Sequence, residues 1–557
     1  MFIVVQAGMP VSEYCAMSPR GVFVREATGL QREWSAKDCL YWNFLTVGIM
    51  SLVLLTFLPI NYPGGDPMLS IVLLTFASIP FFIAYVMLQA SMPRSGGDYV
   101  YQSRLLHPAL GFSFVQMGFG LFPLGLGIGA AFGGWTTIEM GVAPMFIRLG
   151  MLWNIDAFTN FGIWATTPIG LTVLTLILFF FTGLALLVGM GTYAKIQWVQ
   201  MFFVVITIVA MYVFLGTLDR NTFVTHLNTV MQQLGNGPNF YANTISTARA
   251  SGFDPTPPFS WANTIGIWGA MWLAMAWYSY QVFMGGEIKS ASSLKKQMFA
   301  SVGSLFAMNI GVYVVIFWLF LRASGTEFFN SYAFTAFTGA LTHYLPGVPP
   351  NLVSLMIMVM DNPILVIIIS LGLIMNGWQI TINSLLPPTR TVMAAAFDRI
   401  LPDSLADVND RFHVPLKSIS LLLLIAVIST FLLNYTTWAG AFSYMPVAII
   451  AWIATMIAAI IFPFRKSTKS IYESSPIAKY KVGPLPLISV LGVCGAILQV
   501  MMIYYLATAP SLLPNLLTWE AMLLGYVFFF AVYYFMRWYR ARQGIDISLA
   551  FKMIPPE

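Results

Sequence analysis

Apolar residues in this chain come in long runs, with neither the stripe of a water-facing helix nor the alternation of a half-buried strand. Runs of about 20 residues are long enough to cross the hydrocarbon core of a bilayer as helices. They lie near residues 40–60, 68–92, 109–136, 168–190, 194–217 and 263–286, and again near 299–322, 362–388, 416–434, 438–464, 485–507 and 517–537. The pattern predicts an all-α polytopic membrane protein of about twelve spans, numbered 1 to 12, with both termini on one side. Spans 4 and 5 are divided at Gly189-Met190-Gly191, where two glycines punctuate an otherwise continuous run. Three connections are long, 218–262 and 323–361 outside and 389–415 inside; they read as solvated connectors, with gates or short surface helices as the alternative. The expected layout is an N-terminal segment 1–39, a transmembrane domain 40–537 and a tail 538–557.

Composition narrows the class. Of 557 residues, 58% are hydrophobic and only 9% charged, and the mean hydropathy is +0.78. So few charges cannot coat a water-facing surface of this size, which excludes a soluble enzyme or a nucleic-acid binder. The net charge of +6 acquires a meaning once the charges are sorted over the spans. With the termini inside, Arg148, Arg220, Arg249 and Arg322 fall outside, leaving 23 of the 27 Lys and Arg on the cytoplasmic side. The surplus therefore records orientation in a cytoplasmic membrane, and the cluster Arg465, Lys466, Lys469, Lys479 and Lys481 belongs to that signal. Cys15, Cys39 and Cys494 lie far apart, with no spacing for a metal site or reason for a disulfide. Residues 1–40 are mixed and carry acids, so no secretory signal is read and the first span is retained.

Chemistry in such a chain would need ionisable groups converging inside the spans. His107, His226, His343 and His413 map to loops or span ends. Glu139 maps to the outer end of span 3, and Asp361 to the outer start of span 8 before Asn362-Pro363, both interfacial positions. No cofactor, metal or catalytic residue is expected. A small zwitterion can still be recognised by backbone where a helix is interrupted, since freed amides meet anions and freed carbonyls meet cations. Span 1 has such a weak point at Thr46-Val47-Gly48-Ile49-Met50-Ser51, and span 6 has one at Ala274-Met275-Ala276-Trp277-Tyr278-Ser279-Tyr280-Gln281. A packing glycine and an aromatic core are the competing readings. In span 3, Gly125, Gly129 and Gly133 form a small-residue ridge for close helix approach, with Pro123 beside it.

The connections carry a resemblance. Met92–Phe112, MPRSGGDYVYQSRLLHPALGF, closely resembles the cytoplasmic signature of the amino acid/polyamine/organocation permeases. Gly285–Met298, GGEIKSASSLKKQM, is similar to that family's acid-lysine turn, with Ser290-Ala291 where Asn-Pro is usual. Thr389–Ile419 resembles its Arg, Ala-Met, Asp, Leu-Pro and Pro pattern, and Phe462–Gly492 resembles the segment joining spans 10 and 11. The matches fall in order and cover most of residues 40–507.

The resemblance implies a LeuT-like fold of two inverted five-helix units, spans 1–5 and 6–10, with spans 11 and 12 peripheral. It implies that the substrate's carboxylate meets amides at the break in span 1 and its amine meets carbonyls of spans 1 and 6. By position this names Val47, Gly48, Ile49, Met50 and Ser51, with Ala276, Trp277, Tyr278, Ser279 and Tyr280. Two departures stand out: only Gly48 remains of the usual span 1 glycines, and the usual span 6 glycine falls on Trp277. In proton-coupled relatives a lysine sits within span 5, a place that falls near Ile206 or Thr207, whereas the nearby lysine is Lys195. In sodium-coupled relatives hydroxyls of span 8 hold the ion, which points to Thr381 and Ser384, although such hydroxyls commonly bond their own helix. The expectation is a secondary transporter of an amino acid or related amine working by alternating access, with Na+ or H+ as candidate coupling ion and uniport or exchange as the alternatives. The alternatives are a carrier of a polyamine or nucleobase, and a nutrient sensor on the same scaffold.

Overall fold

Helix after helix begins on a side-chain cap that the sequence supplies. Ser35 and Asp38 form a reciprocal capping box at the start of span 1. Asp66 accepts from the amides of Met68 and Leu69 ahead of span 2, with Pro67 in the first turn. Thr167-Pro168 opens span 4. Asn362 rather than Asp361 caps span 8, its Oδ1 accepting from Ile364 N at 2.9 Å. Gly189, at φ +78°, separates spans 4 and 5 where the two glycines predict it.

The computed structural model describes residues 29–122, 127–341, 348, 350–437, 444–508 and 516–552. Ten helices among them are long and apolar enough to cross a membrane: Ala36–Asn61, Pro67–Ser91, Pro168–Leu187, Met190–Thr217, Leu294–Ser324, Pro363–Phe397, Leu416–Tyr435, Tyr444–Ile461, Leu487–Thr508 and Leu516–Arg542. They are spans 1, 2, 4, 5 and 7 to 12. Span 3 runs over Pro108–Phe119, bends at Gly120 and resumes at Ile128 through to Trp153, with a π turn at Ile138–Val142. Span 6 is a helix over Trp261–Met275 followed by short 3-10 turns at Tyr280–Phe283 and Gly285–Glu287. The molecule is thus an all-α polytopic membrane protein, its one small hairpin pairing Lys481–Val482 with Leu485–Pro486 between spans 10 and 11.

Span 8 is the central element. It packs along span 5 on one side and span 3 on the other, while span 10 packs on span 11 and span 4 on span 9. Close approach is bought by small residues, because lipid provides no hydrophobic push between helices. An added Cβ on Gly377 would lie 2.1 Å from the Thr137 hydroxyl. Gly133, on the ridge predicted in span 3, likewise faces Thr381, whereas Gly125 and Pro123 lie outside the described residues.

The long connections differ from the expectation of solvated linkers. Residues 218–262 and 323–361 form helices Arg220–Gln233, Phe240–Ala250, Thr326–Thr338 and Leu352–Met358, and the third connection opens with Leu386–Phe397. All seven residues of Leu352–Met358, LVSLMIM, are buried. Tyr241 stacks on Phe328 with ring centroids 4.4 Å apart. These segments carry enough apolar surface to pack down onto the span ends rather than stay in water.

Candidate functional site

Span 1 stops being an α-helix at Gly48. Its φ of +64° and ψ of 171° lie in a region open almost only to glycine, and the chain continues as a 3-10 turn over Ile49–Phe57. The interruption frees backbone groups that a dry interior must satisfy. Asn376 of span 8 does so from the side: its Nδ2 donates to Leu45 O at 2.9 Å and its Oδ1 accepts from Met50 N at 3.1 Å. Tyr313 of span 7 donates to Gly48 O at 2.8 Å. Ser51 bonds back to Val47 O, and Val47, Ile49 and Met50 are buried.

Span 6 breaks at the other predicted place, after Met275. No left-handed residue is used: Ala276 is near helical at φ −83° and Ser279 sits at φ −118°, ψ 16°. This is how Trp277 can stand where relatives carry glycine, since the turn demands no positive φ. Trp277 is half-buried, stacks on Tyr444 at 5.9 Å and meets Tyr280 and Trp452 edge-on. Tyr278 is fully buried and donates to Asn309 Oδ1, whose Nδ2 donates to Thr75 of span 2 at 3.0 Å.

The two breaks face each other. The first half of span 1 packs against Tyr280–Phe283 of span 6, with Trp42 stacked on Tyr280, while Ile49–Phe57 packs against the helical half of span 6. The segments that carry the ten expected residues therefore lie beside one another. Thr381 and Ser384 are not brought to them by their hydroxyls, which donate to Gly377 O and Ile380 O of their own helix. The polar groups span 8 gives to span 1 are Asn376 and Asn383, the latter donating to Thr46 Oγ1 at 2.6 Å. Glu139 is deeper than the outer end of span 3. Its neighbours Thr137 and Gly141 pack against Gly377 and Ile374, so it sits at the depth of Asn376 and the Gly48 break, buried within the π turn.

On the face from which span 1 starts, the signature motif folds onto span 6. Gly96 N donates to Phe283 O at 2.9 Å, and Ser95 bridges Met284. Two buried ion pairs lock this face. Arg390 holds Glu287 through two hydrogen bonds of 2.8 and 2.6 Å, and Arg104 holds Asp398 at 2.7 and 3.0 Å. Glu287 also uses its carbonyl, accepting from Glu33 N and Trp34 N, so the segment before span 1 is tied in.

Sequence reading missed Asn376, Asn383, Tyr313 and Asn309, and the pairing of the four charges. A usable signal existed for the three asparagines: an amide side chain inside an apolar span needs a partner, and each of them finds a buried bond. The histidines take structural roles, His107 capping span 3 and His226 bonding Val359 O, while His343 lies outside the described residues. Among the described residues no cluster of His, Cys, Asp or Glu could hold a metal ion.

Interrupted spans packed inside an apolar bundle define a multi-pass membrane protein. The chain matches the amino acid permease family over residues 42–532, and it belongs to that family, within the amino acid/polyamine/organocation superfamily. No curated protein sequence matches it.

Proposed function

We propose that this protein is a cytoplasmic-membrane permease that moves an amino acid by alternating access, with its termini in the cytoplasm. The observation that carries the reading is the facing pair of breaks at Gly48 and Ala276–Ser279. The turn starting at Ile49 presents the positive end of a helix, and the helix ending at Met275 presents a negative end. A zwitterion fits between them, its carboxylate toward the Ile49 end of that turn and its amine toward the carbonyls near Ala276. Asn376 keeps the crossing in shape by holding Leu45 O and Met50 N. Trp277, Ser279 and Tyr280 border the side-chain end. The hydroxyls of Thr381 and Ser384 are spent on their own helix, so a sodium site built on them has no support in this arrangement.

The test is uptake of labelled amino acids into proteoliposomes, with and without sodium and at two pH values. Saturable uptake of at least one amino acid is expected, and none across the full panel would contradict the reading. Ser279→Ala should weaken uptake about fivefold, the loss of one neutral hydrogen bond of about 1 kcal/mol, visible in KM. Trp277→Ala vacates the space beside Tyr444 and Trp452, so larger side chains should become substrates. Unchanged selectivity would remove Trp277 from the site.

A further inference from the structure

Asp98 is a buried acid that the crossing of spans 1 and 6 does not use. It sits on the short helix Asp98–Leu105 of the connector between spans 2 and 3, outside the spans, and is fully buried. Its Oδ1 accepts from Tyr85 of span 2 at 2.8 Å and from the Thr455 hydroxyl of span 10. Its Oδ2 has no hydrogen-bond partner among the described residues. Thr455 also accepts from Gln102 Nε2, and Gln102 Oε1 is likewise without a partner. Tyr280 of span 6 and Tyr444 of span 10 stand close enough to feel an Asp98 charge.

The cations nearby are committed elsewhere. On its own helix Arg104 is held by Asp398; on the helix after span 8, Arg390 is held by Glu287. Arg94, on the preceding turn, bonds Pro93 O. Tyr99 donates to Asp398, Tyr101 lies on the same helix, and the C-terminal turn Ile547–Lys552 brings only Lys552. Ionised, Asp98 would be a buried charge with half its acceptor capacity unmet and no counter-ion among the described residues, which is costly. Neutral, it keeps both donors on Oδ1 and can carry a hydrogen on Oδ2.

We propose that Asp98 is the proton-binding site of this transporter: a proton on Oδ2 lets the junction of spans 2, 6 and 10 stay closed toward the cytoplasm, and its release to cytoplasmic water loosens that junction. Only an O–H bond breaks, and the charge left behind is what opens the contact. The proton-binding part stands on Asp98's own surroundings; the coupling part rests on the permease reading. Burial, partly offset by the hydrogen bonds from Thr455 and Tyr85, pushes the Asp98 carboxyl up to about 7. An acid raised in this way binds a proton when folded that the unfolded chain has released. Folded stability therefore falls as pH rises from 3.8 to about 7 and is flat above.

The first test is thermal melting of the purified full-length protein in detergent across that range, for wild type, Asp98→Asn and Thr455→Val. Wild type should lose melting temperature relative to Asp98→Asn as pH rises and level off near neutrality, and Thr455→Val should move that midpoint upward because a donor to the carboxylate is gone. Parallel curves overturn the proposal. The second test is uptake driven by an imposed pH gradient: Asp98→Asn should lose gradient-driven accumulation several-fold while keeping exchange. Gradient-driven accumulation that survives Asp98→Asn overturns the coupling role. If wild type carries no amino acid at all, the permease reading fails while the melting curves still decide whether Asp98 binds the proton.

Discussion

Gly48→Ala is expected to abolish transport while leaving a folded, monodisperse protein. The backbone at Gly48 occupies a region that costs other residues about 1–3 kcal/mol. An added Cβ would also lie 2.1 Å from both terminal atoms of the Asn376 amide. To make room, Asn376 must withdraw and leave Leu45 O or Met50 N unpaired in a dry interior, about 1–3 kcal/mol each. At about 1.4 kcal/mol per factor of ten, the crossing loses at least tenfold in occupancy of the shape that binds substrate. Uptake in proteoliposomes, beside gel filtration of the same sample, checks this. Asn376→Ala should be milder, since it orphans the same two groups without backbone strain. A Gly48→Ala protein with near wild-type uptake would mean that the break does not shape the site.

Arg390→Met is expected to be the most destabilising of simple substitutions on the N-terminal face. Arg390 and Glu287 are both almost fully buried and joined by two bonds. Removing one partner strands the other charge, at about 3–5 kcal/mol. Replacing both, as in Arg390→Met with Glu287→Leu, should recover much of that loss, because two apolar groups in a buried site leave nothing unpaired. Melting temperatures of the two singles and the double form the cycle, and the expected signature is strong non-additivity. Additive losses would show that the pair is not coupled. Because Glu287 also anchors Glu33 and Trp34 through its carbonyl, proteolysis ahead of span 1 should quicken in the single variants.

The spans were legible because each needs a local run of apolar residues, and the breaks in spans 1 and 6 were legible because Gly48 and the Trp277–Tyr280 cluster interrupt such runs. Interactions that join distant parts of the chain left no local trace. Asn376 lies 326 residues from Met50, and Asp398 lies 294 from Arg104; nothing in the neighbourhood of either residue announces its partner. Glu139 reads as the end of span 3 because the apolar run breaks near residue 136, whereas the helix continues through Ile138–Val142 to Trp153 and carries Glu139 past span 8. The connector helices were missed because amphipathic pieces such as Phe240–Ala250 resemble polar linkers until Phe328 is seen beneath Tyr241. Thr381 and Ser384 show the reverse, a motif position whose hydroxyls are absorbed by their own backbone.

The most direct test of backbone recognition at the crossing is competition against uptake of the preferred labelled amino acid by analogues that lack one charged group. Decarboxylated and deaminated analogues should both fail to compete, whereas amino acids with altered side chains should compete to graded extents. Equal competition by the decarboxylated amine would contradict the account, because the positive end of the turn starting at Ile49 would then have no anion to meet.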